Sequence, residues 1–352
     1  MKKWLAFLFA AVCLFTFFGC AKEEEEVLTG DELVVFNYGD YIDRDLLRQF
    51  EAETGIKVKY EEYVTPEDMY TKYQSGSIKY DLIITSEYMV EKMIEAGEVL
   101  EIDMSQMENI GNIDQTYWDF CQAFDKENKY AVPYFWGTVG ILYNTTMVDE
   151  EIDSWSILWD ETYKNNLVMS NSVRDSFVVP LKLMGKSLNT TDHTILEEAK
   201  QMLIEQKPLV QAYYVDQSRD ALISGDAAMA VIYSGDAIMA MDYNEDLDYV
   251  VPKEGSNVWL DCLMIPKTCQ HKEAAEMFID FLCDAEVGLT NYEYVYYPTP
   301  NAAVYEMVDE EDRNNPAIFP PDEVMEKCEV FQYLGPEMES YYAYMWKELK
   351  SE

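Results

Sequence analysis

Positive charge and histidine are what this sequence has least of. Among 352 residues there are 67 acids, 26 lysines and arginines and 2 histidines, giving a formal net charge of −41. A surface of that sign is a poor partner for a phosphate backbone, which excludes nucleic acid, and an anionic membrane would not recruit it directly. With only His193 and His271 present, a histidine-based metal or catalytic site is not expected. The cysteines are equally unhelpful to a metal or disulfide reading. Beyond Cys13 and Cys20, the chain has Cys121, Cys262, Cys269, Cys283 and Cys328, an odd set without a CxxC pair. No disulfide framework or zinc site follows, and Cys262 and Cys283, set among apolar residues, read as buried thiols. There is no nucleotide-binding glycine loop and no internal repeat.

Long apolar runs are also missing, with one exception at the start. Lys2 and Lys3 precede the uncharged stretch Trp4 to Phe18, too short for a comfortable membrane span. It ends in Phe17-Phe18-Gly19-Cys20-Ala21, which resembles a bacterial lipobox and implies cleavage before Cys20 and acylation of its sulfur, with an uncleaved membrane anchor as the alternative. Either route leaves the rest of the chain outside the cytoplasmic membrane. Lys22 and the run Glu23 to Glu26 have nothing to bury and read as a solvated tether. The expected organisation is a leader over 1–19, a lipidated Cys20 with its tether over 20–30, one lobe from 31–137 plus 262–302, and a second from 138–261 plus 303–352. The folded part is long enough for two lobes with separate cores.

From Leu33 the pattern alternates strand and helix. Leu33 to Phe36 is a short apolar run, Asp45 to Glu53 a helix stopped by Gly55, and Ile56, Val58 and Tyr60 alternate with lysines. Thr65-Pro66-Glu67-Asp68 has the cap, the proline and the acid of a helix start. Asp81 to Thr85 and Glu87 to Ala96 repeat the unit. This order predicts an α/β fold with a largely parallel sheet, whose ligands sit at the carboxyl ends of the strands. Tyr38, Asp40, Ser86 and Tyr88 all fall at that edge. A second lobe is expected to begin with the strand Val139 to Tyr143 and to include Leu167 to Met169, Ala228 to Tyr233 and Trp259 to Ile265. The acidic stretch from Val308 to Arg313 reads as loop-rich, and the chain closes on a helix from about Glu337 to Lys350.

Against this background three couplets stand out: Tyr38-Gly39-Asp40-Tyr41, Tyr233-Ser234-Gly235-Asp236 and Trp259-Leu260-Asp261. Each sets an aromatic ring beside a carboxylate, and both attract an organic cation. Most members also have a structural explanation. Gly39 and Asp40 are turn formers, Ser86 and Asp236 can open helices, Tyr88 can be core, and Ser172 with Asp175 has capping-box spacing. Trp259 and Asp261 differ, because residues two apart share one face of a strand and an acid on an apolar strand needs a partner.

Val35-Phe36-Asn37-Tyr38 with Asp40-Tyr41, Phe50-Glu51-Ala52-Glu53-Thr54-Gly55-Ile56-Lys57-Val58, Tyr80 to Ser86, Val132-Pro133-Tyr134-Phe135-Trp136-Gly137, Ser154-Trp155 with Leu158-Trp159, Val251-Pro252-Lys253-Glu254-Gly255, Trp259-Leu260-Asp261 and Tyr297-Pro298-Thr299-Pro300-Asn301 make the chain resemble the spermidine/putrescine-binding proteins of polyamine ABC transporters from about Glu32 to Lys350. The resemblance implies two hinge-linked lobes in a periplasmic-binding-protein fold, a polyamine in the cleft between them, an ABC permease as partner and a monomeric protein held at the membrane by its lipid anchor. It implies no cofactor, no metal and no catalysis. By matching motif, Tyr38 and Tyr233 stand where stacking tryptophans usually sit. Asp40, Tyr41, Ser86, Tyr88, Trp259, Asp261 and Tyr297 match ligand contacts, Asp175 replaces a glutamate, Asp236 matches an acid of putrescine-type members, and Ser172 and Gln332 complete the set. Three other readings stay open: a carbohydrate-active enzyme using paired carboxylates, a ferric-ion binder using the adjacent tyrosines Tyr213-Tyr214 or Tyr296-Tyr297, and an amino-acid or peptide binder, for whose carboxylate only Arg174 could serve.

Overall fold

The computed structural model describes residues 32–215 and 217–351. The expected leader, the acylated Cys20, the acidic tether and Asp31 lie outside the described residues. In chain order the first elements are β1 (Glu32–Tyr38), α1 (Arg44–Thr54), β2 (Lys57–Tyr63), α2 (Pro66–Ser75), β3 (Leu82–Ser86), α3 (Glu87–Glu95), β4 (Val99–Leu100), α4 (Gln115–Cys121) and β5 (Ala131–Asn144). Local chemistry sets their ends. Asp43 accepts from the Asp45 N–H at the start of α1, and Gly55 closes that helix at φ 75°, a conformation glycine takes without steric cost. Thr65 caps α2 with Pro66 in its first turn.

The second half contributes β6 (Leu167–Ser170), α5 (Val173–Leu183), α6 (His193–Gln206), β7 (Val210–Tyr214), α7 (Gln217–Ile223), β8 (Met229–Tyr233), α8 (Ser234–Tyr243), β9 (Leu247–Val250) and β10 (Val258–Pro266). The helices α9 (Lys272–Leu282), α10 (Ala285–Val295), α11 (Ala302–Met307), α12 (Glu310–Arg313), α13 (Asp322–Met325) and α14 (Gly335–Ser351) follow. The stretch expected to be loop-rich therefore holds the short helix α12, and β5 starts well before Val139.

Strands run in the order β2-β1-β3-β10-β5-β8-β6-β7, with β4 beside β10 and β9 beside β5. β1 is parallel to both β2 and β3, but β10 is antiparallel to β3 and to β5. The sheet is mixed rather than largely parallel, because β10 enters from the other lobe and needs no helical crossover. β5 is shared: Ala131 to Thr138 pairs with β10, and Val139 to Asn144 pairs with β8 and β9. This single long strand ties two lobes together near Gly137 and Thr138. β10 pairs from Val258 to Met264 with the Ala131–Thr138 part of β5.

Apolar clusters pack at both ends of the sheet. Phe36, Met69, Ile83, Met89 and Met264 form one cluster in the first lobe. Leu142, Val168, Leu222 and Ile232 form another in the second. The five described cysteines are free, and Cys262 and Cys283 are buried as expected. No helix of the described residues is long and apolar enough to cross a membrane.

Candidate functional site

The site forms where strand ends from both lobes converge. Tyr38 is the last residue of β1 and Ser86 the last of β3. β10 runs antiparallel to β3 with Asp261 directly opposite Ser86. Across β5, Tyr233 ends β8 opposite Val139, and Asp236 lies in the first turn of α8. The β-strand pairing thus delivers the three aromatic-acid couplets, scattered along the sequence, to one cleft.

Asp261 is a buried acid, 7% exposed. Its Oδ2 accepts from the Tyr41 hydroxyl at 2.7 Å and its Oδ1 from the Tyr38 hydroxyl at 3.4 Å. Among the described residues no lysine, arginine or histidine forms an ion pair with it. Burial pushes its carboxyl up to about 7, against the pull of the two tyrosine hydroxyls. Burial and the neighbouring Asp261 also push both phenols well above their ordinary range, so they stay protonated and donate.

Asp175, 4% exposed on the first turn of α5, accepts a short hydrogen bond from the Tyr233 hydroxyl. Burial raises its carboxyl, while Tyr233, Ser172 and Arg174 pull it down. Arg174 is nevertheless directed away, donating to Leu188 O at 3.2 Å, Asn189 Oδ1 at 3.1 Å and Gln332 O at 3.3 Å. Its guanidinium lies over the Phe331 ring. Asp175 and Tyr233 also line a small recess together with Ser170, Tyr214 and Val215. Asp236 has a different environment. Arg219 Nη1 lies 3.5 Å from its Oδ1, and the Tyr297 hydroxyl donates to its Oδ2 at 3.4 Å.

Aromatic rings line the space between these acids. Trp259 meets Tyr297 edge-on at 4.9 Å between centroids and Tyr233 at 6.2 Å, and Tyr41 touches Tyr297 and Tyr38 at 5.7 and 5.3 Å. Two glycines make room for them. A Cβ on Gly137 would stand 2.5 Å from the Trp259 ring, and one on Gly235 would strike the Tyr297 ring. Tyr88 completes the wall with its hydroxyl held by Glu67 Oε1 at 3.1 Å. Ring faces and edges beside carboxylates suit an organic cation with an apolar body.

The structure brings together Tyr38, Tyr41, Ser86, Tyr88, Asp175, Tyr233, Asp236, Trp259, Asp261 and Tyr297. Ser172 sits at the start of α5 without capping its backbone and is drawn toward Asp175. Asp40 is exposed in the turn after β1. Gln332 is exposed too, and its hydrogen bonds run through its main chain, to Asn189 and Arg174. Sequence reasoning missed Glu87, which is wholly buried under β10, and Tyr63 and Tyr134, whose hydroxyls bond to Ile84 O and Tyr41 O. Tyr134 was visible only as part of an aromatic run. Glu87 looked like an ordinary acid at a helix start, and only the packing of α3 on β10 shows it inside. Of the tyrosine pairs that suggested iron, Tyr213 already carries the Lys350 ammonium 3.6 Å over its ring, and Tyr296 is exposed at a helix end.

Comparison with known proteins places this geometry. A family model described as bacterial extracellular solute-binding protein matches residues 45–320. The chain is 34% identical over 351 residues to the spermidine/putrescine-binding periplasmic protein of Salmonella typhimurium, covering 99% of each. It is 30% identical over 336 residues to the putrescine-binding periplasmic protein SpuD of Pseudomonas aeruginosa, covering 91% of this chain and 92% of that one. Among solved structures it is similar to the spermidine/putrescine ABC transporter substrate-binding protein PotD of Streptococcus pneumoniae, determined with calcium and HEPES. That match has 39% identity and a TM-score of 0.83 over 92% of this chain and 99% of the other. The two-lobe α/β architecture expected from the sequence is the fold these proteins share.

Proposed function

This chain belongs to the bacterial extracellular solute-binding protein family, and on that premise we propose that it captures a polyamine, putrescine or spermidine, and delivers it to an ABC permease. The observation that carries the reading is Asp261: a buried carboxyl at the convergence of three strands, met by tyrosine hydroxyls and bridged by no basic side chain among the described residues. An uncompensated buried acid is costly, and an incoming ammonium group supplies the missing charge.

Energetics favour this division of labour. Burying four methylenes at ~0.8 kcal/mol each yields about 3 kcal/mol, short of the roughly 8 kcal/mol needed for micromolar affinity. Charge-assisted hydrogen bonds of about 1.5–3 kcal/mol and cation–π contacts of about 0.5–2 kcal/mol supply the rest. Asp261, Asp175 and Asp236 receive the ammonium groups in the cleft, and Asp40 acts at its rim. Tyr38, Tyr88, Tyr233, Trp259 and Tyr297 sheathe the carbons. Carboxylate spacing then selects ligand length, and closure of the lobes presents one surface to the permease. The cleft serves binding, not catalysis. The protein acts outside the cytoplasmic membrane, tethered through Cys20, as a monomer.

Thermal unfolding tests this reading. Putrescine or spermidine at saturating concentration is expected to raise Tm by several degrees, as mass action requires of a ligand for the native state, while ferric ion, citrate and simple sugars leave it unchanged. A rise with iron and none with polyamines would defeat it.

A further inference from the structure

Behind the ligand carboxylates lies a second acid that the proposed binding scheme does not use. β3 and β10 pair antiparallel as far as Ser86 opposite Asp261. At Glu87 the chain turns into α3, and β10 loses its backbone partner one residue short of Asp261. The Glu87 side chain fills the gap, its Oε2 accepting from the Leu260 N–H at 3.1 Å. The residue is 0% exposed, and its other oxygen, Oε1, is buried without a hydrogen-bond partner. No lysine, arginine or histidine of the described residues forms an ion pair with it.

A carboxylate with one hydrogen bond and no counter-ion does not persist in a dry interior; it takes up a proton instead. The groups that act on Glu87 from the surrounding elements point the same way. Burial is the largest influence and Asp261 on β10 adds to it, whereas Arg174 on α5 opposes it from a distance. Glu87 in turn raises its neighbours Tyr88 on α3 and Cys262 on β10. The carboxyl is held up to about 8, so it is neutral at physiological pH in the free protein.

Resting on the polyamine reading, we propose that Glu87 is a positioning residue of the ligand site: it pins the β10 backbone beside Asp261 as a neutral acid and surrenders its proton to solvent when an ammonium group enters the cleft. The O–H bond of Glu87 breaks, the proton passes to the buffer, and the resulting carboxylate shares with Asp261 the field of the arriving cation, which favours the charged form of both. The arriving cation is thereby matched without keeping two adjacent anions in the unliganded fold.

E87Q separates this role from simple support, because the amide oxygen still accepts from Leu260 N–H but carries no titrating proton. The experiment is calorimetric titration of the intact protein with putrescine and with spermidine, each in two buffers of different ionisation heat, from pH 6.5 to 9. Wild type is expected to release protons on binding across this range. E87Q should release about half a proton fewer near pH 8, where a group of that acidity is half titrated. Its affinity should equal wild type at pH 6.5 and fall roughly threefold to tenfold behind it by pH 8.5, as expected for a missing charge beside the site. Infrared difference spectra of wild type, which need no variant to fold, should show loss of a protonated carboxyl band on adding putrescine at pH 7.5. Equal proton release and superimposable affinity profiles for the two proteins, or no carboxyl loss in wild type, would overturn the inference and leave polyamine binding standing. Failure of wild type to bind either polyamine would overturn both.

Discussion

Asp261 and Asp236 carry the same functional group to the same cleft, yet their surroundings differ in kind. Asp261 stands on β10, buried, with the Tyr38 and Tyr41 hydroxyls donating to it. Asp236 stands on α8, partly exposed, with Arg219 Nη1 at 3.5 Å. Neutral donors orient a carboxylate without cancelling its charge, whereas a guanidinium cancels much of it. An acid next to a ring is therefore not enough to mark a cation site; what matters is whether the protein already supplies the counter-charge.

The sharpest way to break that contrast is D261N. Losing a charge-assisted hydrogen bond of about 1.5–3 kcal/mol should weaken putrescine or spermidine binding by roughly tenfold to a hundredfold, read by calorimetry. Unchanged affinity would remove Asp261 from the site. Stability should move the other way. With its carboxyl at about 7 in the folded protein, Asp261 binds a proton that the unfolded chain has already lost, so stability from this group falls as pH rises from about 4 through 7. The Tm of D261N relative to wild type should therefore climb across that window, and a flat difference would mean the buried acid is not held neutral.

A milder effect is expected at the other acid. D236N should weaken polyamine binding only about twofold to fivefold, the scale of a partly exposed, partly screened charge. Removing the competitor sharpens the test: R219Q is expected to tighten binding or leave it equal, because Asp236 then has more charge to offer. Weakening by R219Q as large as that of D261N would show the arginine supporting the ligand site rather than competing with it.

How much of this could be read beforehand depends on whether a signal was local. The cap at Thr65, the strand at Leu33 and the helix at Glu87 were legible because turn chemistry and periodicity act over a few residues. The candidate site was legible in part, through motifs whose resemblance to known binders spans the chain, and the structure sets Tyr38 against Asp261 and Tyr233 against Trp259. What remained hidden is long-range. The antiparallel entry of β10 depends on which lobe Val258 pairs with, a fact invisible in an apolar strand. The burial of Glu87 depends on where β3 stops opposite β10, so a residue with ordinary helix-start chemistry turns out to be an interior acid. Arg219 is the same case in reverse: nothing near it in sequence announces Asp236.

Asp40 and Gln332 test the outer limit of the comparison, with the smallest effects. Both were expected to touch ligand, yet Asp40 is exposed in its turn and Gln332 bonds through its backbone. A charge in high dielectric contributes little to a bound complex but still shapes the field through which a cation approaches. D40N should therefore leave the equilibrium affinity within about twofold while slowing association, and the slowing should fade as salt shortens the reach of the field to ~8 Å at physiological ionic strength. Stopped-flow tryptophan fluorescence, with Trp259 in the cleft wall as reporter, would resolve the two. A salt-independent loss through faster dissociation would place Asp40 against the ligand, and the division between a deep uncompensated acid and a merely steering rim would have to be redrawn.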